Sequence, residues 1–163
     1  MRLSRIALTL AVALMAAPAA AAQSAPGQAV AKTLVNVDRQ GLAVQGYDPV
    51  AFHTQRAALK GDPAITATHL GATYRFASAA NKAAFEADPA RYAPAYGGYC
   101  AYGVSQGGLF PVDIATAQIL DGRLILNKTP RVRELFDRDP QGRIRLAETE
   151  WPDLVAKHGK ARP

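Results

Sequence analysis

Only one cysteine, Cys100, occurs in the 163 residues of this chain. A single thiol closes no intrachain disulfide, so the fold has to stand on packing and hydrogen bonding. Methionine is almost as scarce, and Met1 and Met15 are both close to the N-terminus. The rest of the chain therefore has no thioether, which excludes a methionine-rich copper(I) site. Also missing are a GxSxG elbow, an HExxH pair, a Walker loop and a dinucleotide fingerprint, so hydrolase and nucleotide chemistry have no support. Asp113, Asp121, Glu148 and Glu150 make no evident acid–base pair. Lysine and arginine outnumber the acids by 19 to 13, a formal charge of +6. The basic residues, Lys60, Arg75, Lys82, Arg91, Arg123, Arg131, Arg133, Arg143 and Arg145 among them, are scattered and not interleaved with aromatics. Nucleic acid is not expected as a partner, and the surface carries only a mild bias toward anions.

The N-terminus reads as a secretory signal peptide over residues 1–22. Arg2 and Arg5 supply the positive start, Ile6 to Met15 the apolar run, and Ala20-Ala21-Ala22 the small residues before Gln23. The two arginines are not adjacent, so the twin-arginine route is not indicated. Export to the periplasm by a Sec-type route is the expectation, with no later stretch apolar enough to span a membrane. Loss of the two arginines would leave a charge of about +4 on the remaining domain. Residues 23–40 read as a flexible lead-in, small and without period up to Lys32, with Thr33 to Val37 alternating like a short strand. Residues 41–157 then have the length of one domain with a real core.

Turn and cap signals divide that domain. Gly46-Tyr47-Asp48-Pro49 is a turn, with Asp48 capping a short helical segment through Phe52. Ile65–His69 and Thr73–Ala77 flank a glycine-containing connection and read as a hairpin with Tyr74 and Phe76 on one face. Ser78 caps a helix to about Ala87, and Asp88-Pro89 stops it. Thr116–Leu120 and Arg123–Asn127 make a second hairpin across Asp121-Gly122, the dipeptide suited to a type I′ turn. Thr129-Pro130 opens a helix carrying Val132, Leu135 and Phe136, and Trp151-Pro152 is expected to open a last short one. Hairpin, helix, hairpin, helix predicts a small α+β domain built on antiparallel hairpins.

Chemistry centres on Cys100. Gly97 and Gly98 permit close backbone approach or positive φ just before it. Tyr96, Tyr99 and Tyr102 bring phenol hydroxyls near it in sequence. No lysine, arginine or histidine is adjacent to Cys100, so activation would have to come through the fold. A buried packing role is the alternative, because free cysteine is commonly a small core hydrophobe. Of the histidines, His53 follows an aromatic and can face a pocket, with Tyr47 and Asp48 on the same segment. His69 is expected at an exposed hairpin edge and His158 near a frayed end. A Cys100–His53 pair would suit one soft metal ion or a thiolate–imidazolium couple, though two ligands do not close a zinc site.

The segments GYDPVAFH (46–53), LKG (59–61) and GATYRFASAANKAAFEADPARYAPAYGGYCAYGVS (71–105) resemble the YHS domain family. They look most like its exported subgroup with a GGYCAY signature, and DGRLILN (121–127) and Trp151-Pro152 fit the same subgroup. The resemblance covers about Gly41 to Leu154. It implies a small metal-sensing or metal-binding module, yet the three family cysteines are absent; Ala51, Ala77 and Asn81 stand in their places. The subgroup keeps a sulfur or a selenium at the position of Cys100, which implies redox or soft-metal use there.

The expectation is a non-enzymatic module binding copper or zinc through Cys100 with His53 or a tyrosine. The alternatives are a thiol-redox protein in which Cys100 works with an external partner protein, and an interaction domain in which Cys100 only packs.

Overall fold

The structure is a computed structural model that describes residues 31–161. The signal peptide expected over 1–22 and the lead-in up to residue 30 lie outside them. The described residues form an α+β domain: three separate two-stranded antiparallel ribbons with short helices packed between and over them.

Helix starts follow one local rule. Helices α1 (Pro49–Thr54), α3 (Pro89–Tyr92), α5 (Pro130–Asp137) and α6 (Pro140–His158) begin on proline, behind Asp48, Asp88, Thr129 and Asp139. In each, the capping side chain accepts a backbone N–H of the first turn, while the proline removes a donor that would have no partner. Helix α2 (Ala79–Ala87) is capped by Ser78 in the same way. Helix α4 (Ala101–Val104) is a single turn capped by Cys100.

The ribbons follow their turns. Strands β2 (Asp62–His69) and β3 (Ala72–Phe76) meet at Leu70-Gly71, and Tyr74 and Phe76 are both buried against Phe85, at ring centroid distances of 4.8 and 5.2 Å. Strands β4 (Asp113–Leu120) and β5 (Arg123–Asn127) turn at Asp121-Gly122, with φ of 49° and 75° as a type I′ turn requires. Leu124 and Leu126 pack toward Phe76 and Phe85, but Ile125 between them is equally buried, against Phe136 and Tyr96. β5 thus separates two core clusters and is covered on both faces. The third ribbon pairs β1 (Lys32–Thr33) with β6 (Lys160–Ala161).

Two expectations change. Trp151-Pro152 does not open a helix; it lies inside α6, which starts at Asp139-Pro140 and runs on to His158. An interior proline forfeits a backbone hydrogen bond, and burial of Ile144 and Ala147 before it and Leu154 after it holds both halves in line. The lead-in is not free from residue 32 onward. Beyond β1, Asn36 donates its backbone N–H to the Gly97 carbonyl at 2.8 Å and its side-chain Nδ2 to the Gly98 carbonyl at 3.0 Å.

Asp48 ties the first half together. Its side chain has no exposed surface. Oδ1 accepts the N–H groups of Val50 (2.8 Å) and Ala51 (3.2 Å), and Oδ2 accepts Ala77 N–H (2.8 Å) and Asn81 Nδ2 (2.6 Å). A buried carboxylate is tolerable only when its lone pairs are this fully used. Asp48→Ala would remove a cap and strand buried donors, a loss of about 3 kcal/mol. Urea unfolding should show it as a lower midpoint with an unchanged slope; an effect within error would deny Asp48 this role.

Candidate functional site

The approach to Cys100 is built from strained backbone. Tyr96, Gly97 and Gly98 have φ of 52°, 58° and 81°. Left-handed geometry at a tyrosine is unusual, and here the ring is held: it stacks edge-on to Trp151 at 6.0 Å, lies under the Arg123 guanidinium at 5.1 Å, and its hydroxyl donates to Ile144 O at 3.4 Å. At Gly97 any Cβ would collide with the Leu34 carbonyl. Glycine is needed there twice over, for φ and for the strand segment laid across it.

This kink delivers Cys100 to the start of α4. Its N–H donates to Phe110 O at 3.1 Å and its carbonyl accepts Val104 N–H at 2.8 Å. Sγ accepts the Gly103 N–H at 3.4 Å and donates to Asn127 Oδ1 at 3.7 Å. Asn127, fully buried at the end of β5, also accepts the Tyr102 N–H on Oδ1 at 3.1 Å, and its own N–H donates to Thr116 Oγ1 at 2.8 Å. The Tyr102 N–H fixes which way the amide faces, and Nδ2 is left buried without a partner.

Cys100 is only 1% exposed, and what surface it has lines a pocket of about 290 Å³. The other walls are Tyr102, Gly103, Gln106, Phe110, Lys128 and Val132. Phe110 is 42% exposed, and Lys128 Nζ stands 5.2 Å from its ring centre, so the mouth is part aromatic and part cationic. A Cβ at Gly103 would come within 2.5 Å of the Phe110 ring, so glycine lets that ring close the side of the pocket.

The other expected site residues lie elsewhere. His53 packs edge-on to Tyr92 at 5.3 Å, and its Nε2 is buried without a partner. Burial, and then the charges of Arg91 and Arg56, hold its pKa below the ordinary value. Tyr92 packs on the same apolar cluster as Cys100, but His53 is not among the residues lining the Cys100 pocket, and among the described residues no three His, Cys, Asp or Glu side chains converge as a metal-holding group. Tyr47 stacks under Lys60 Nζ at 3.9 Å, and Asp48 is a cap. Tyr102 joins the Cys100 pocket with the Arg143 guanidinium 4.6 Å from its ring centre. Tyr96 and Tyr99 face the Trp151 side instead, and burial raises the pKa of both. His69, expected at an exposed edge, is half-buried with its ring 5.9 Å from that of Phe85. His158 is exposed. Sequence reasoning missed Asn127, Phe110, Lys128 and Val132, which lie 10 to 32 residues after Cys100. No spacing rule connects them to it.

Two outcomes test this geometry. Gly97→Ala should release the 32–37 segment, read as faster amide exchange there with the β4–β5 ribbon still protected; unchanged exchange would refute the close approach. His53 takes up its proton at lower pH in the folded chain than in the unfolded one. Stability therefore falls as pH drops from the unfolded pKa, about 6.5, through the lower folded value. Between pH 7 and pH 5 a His53→Phe variant should lose less stability than the parent, and equal losses would rule this linkage out.

Comparison with known proteins finds no matching family model, no matching curated protein and no matching solved structure.

Proposed function

We propose that this chain is an exported YHS-like module whose working group is the Cys100 thiol, used in redox exchange with small partners. The observation that carries the reading is the position of Sγ. It belongs to a residue at the floor of an apolar pocket, hydrogen-bonded to Gly103 N–H and Asn127 Oδ1, with a cationic and aromatic mouth above it. The near-complete burial of Cys100 favours a small reactant such as a peroxide over a bulky disulfide.

The chemistry balances with a peroxide as oxidant and an external thiol as reductant. The sulfur attacks the nearer peroxide oxygen, the O–O bond breaks, and the leaving oxygen departs as water or alcohol with the thiol proton. Cys100 is then a sulfenic acid. An external thiol displaces its hydroxyl as water and forms a mixed disulfide. A second external thiol attacks that partner's sulfur and returns Cys100 to the reduced form. No resolving cysteine exists in the chain, so both thiols come from outside.

Copper or zinc held by Cys100 and His53 is less well supported. His53 is not among the residues lining the Cys100 pocket, and that pocket offers one sulfur beside a Tyr102 phenol and a Gln106 amide. That donor set does not fit a closed zinc site, which takes four ligands, or a soft copper site.

Size selectivity is the test. The rate ratio of methyl methanethiosulfonate to an aromatic disulfide reagent at Cys100 should be at least ~10-fold higher in the native protein than in urea. Dilute peroxide followed by dimedone should label Cys100 and leave a Cys100→Ser variant unlabelled. A thiol silent to both reagents until unfolding would overturn the proposal and leave Cys100 as a cap and packing residue. Protection by copper or zinc would return the metal reading.

A further inference from the structure

On the face that carries α1 and β4 lies a second pocket, of about 350 Å³, which shares no residue with that of Cys100. Phe52, Ala117 and Ile119 contribute its apolar lining, and Arg56, Arg133 and Gln118 its polar lining. No carboxylate is among the lining residues. Arg133 is positioned from the rim: its Nε donates to Asp137 Oδ2 at 3.3 Å, and Gln118 Nε2 donates to the other oxygen of the same carboxylate at 3.0 Å. That one acid engages Arg133 through Nε only, and no bond to the terminal guanidinium nitrogens is recorded among the described residues. Arg56 has no ion pair at all among the described residues. It is also held at a φ of 54°, just after α1 ends.

We infer that this pocket binds a small organic carboxylate, its anionic group between the Arg56 and Arg133 guanidinium groups and its apolar body on Phe52 and Ile119. Guanidinium matches a carboxylate in a planar two-point bond, and two of them with one rim acid leave the pocket short of negative charge. The lining is mainly polar, and the small apolar strip from Phe52, Ala117 and Ile119 gives an organic anion a modest advantage over a bare inorganic one. His53 lies on the same helix, and its pKa is lowered first by burial and then by the charges of Arg91 and Arg56, so it can report on charge at this pocket.

Titration of the protein with phenylacetate, acetate and inorganic phosphate, followed by NMR, tests the inference. Phenylacetate should bind saturably, shift the Ala117–Ile119 amides, and raise the pKa of His53, because a bound anion offsets the arginine field. Acetate and phosphate should bind ~3-fold more weakly. Arg56→Asn keeps a residue that tolerates left-handed φ and should weaken phenylacetate by ~10-fold or more, as should Arg133→Gln. Arg131→Gln, which removes an exposed guanidinium paired with Glu134, should change nothing. No saturable binding, phosphate binding as tightly as phenylacetate, or an Arg56→Asn protein that binds like the parent would each overturn the assignment. Cys100 plays no part in this readout, so its outcome is independent of the redox proposal.

Discussion

The carboxylate of Asp48 sits in the interior with all its surface withdrawn from water, and four N–H groups converge on it. Two come from the first turn of α1 and two from the junction of β3 with α2, so one side chain fixes both a helix start and the docking of the first ribbon. An ionised group can occupy such a place only because donors replace the water it gives up. Once α1 is held there, Phe52 is placed against the core and His53 beside Tyr92, and Arg56 lines a pocket with Ala117, Gln118 and Ile119 of the second ribbon. The two proposed sites depend on this frame to different degrees. The arginine pocket rests directly on α1, and the Cys100 pocket rests on β5 and α4.

Strand β5 does the equivalent work in the second half. With Leu124 and Leu126 on one face and Ile125 on the other, it joins two apolar clusters that no single face could have bridged. Asn127 ends the strand, and its amide reaches across to Tyr102 N–H and Cys100 Sγ. The thiol is thereby held by a residue of the best-buried strand. The strained Tyr96–Gly98 turn, pinned by Trp151, Arg123 and the Asn36 hydrogen bonds, sets the height at which Cys100 enters α4. A thiol supported in this way has little freedom to swing outward.

The parts of this structure legible in the sequence share a short range. Asp48, Ser78 and Thr129 were readable as caps because each bonds a donor two or three residues away. Asp121-Gly122 was readable as a turn because its requirement for positive φ is met within the dipeptide. Trp151-Pro152 shows the limit of such reasoning. Its local signal favoured a helix start, and burial of α6 on both sides of the proline outweighed it. The Cys100 surroundings were half legible, in that the glycines pointed to unusual backbone but nothing pointed to Asn127 or Phe110.

Composition and local order by themselves determined that the chain is a small α+β domain without disulfide support, with one thiol placed after a glycine kink. Those features follow from interactions that close within a few residues or from residues that are absent altogether. Only the tertiary structure decided that Asn127 and Phe110 meet Cys100, that Leu34 lies on Gly97, and that Arg56 and Arg133 share a pocket. Each of these brings together groups distant in the chain. Their meeting is set by how buried faces pack, and a sequence pattern does not encode which distant partner an apolar face will find.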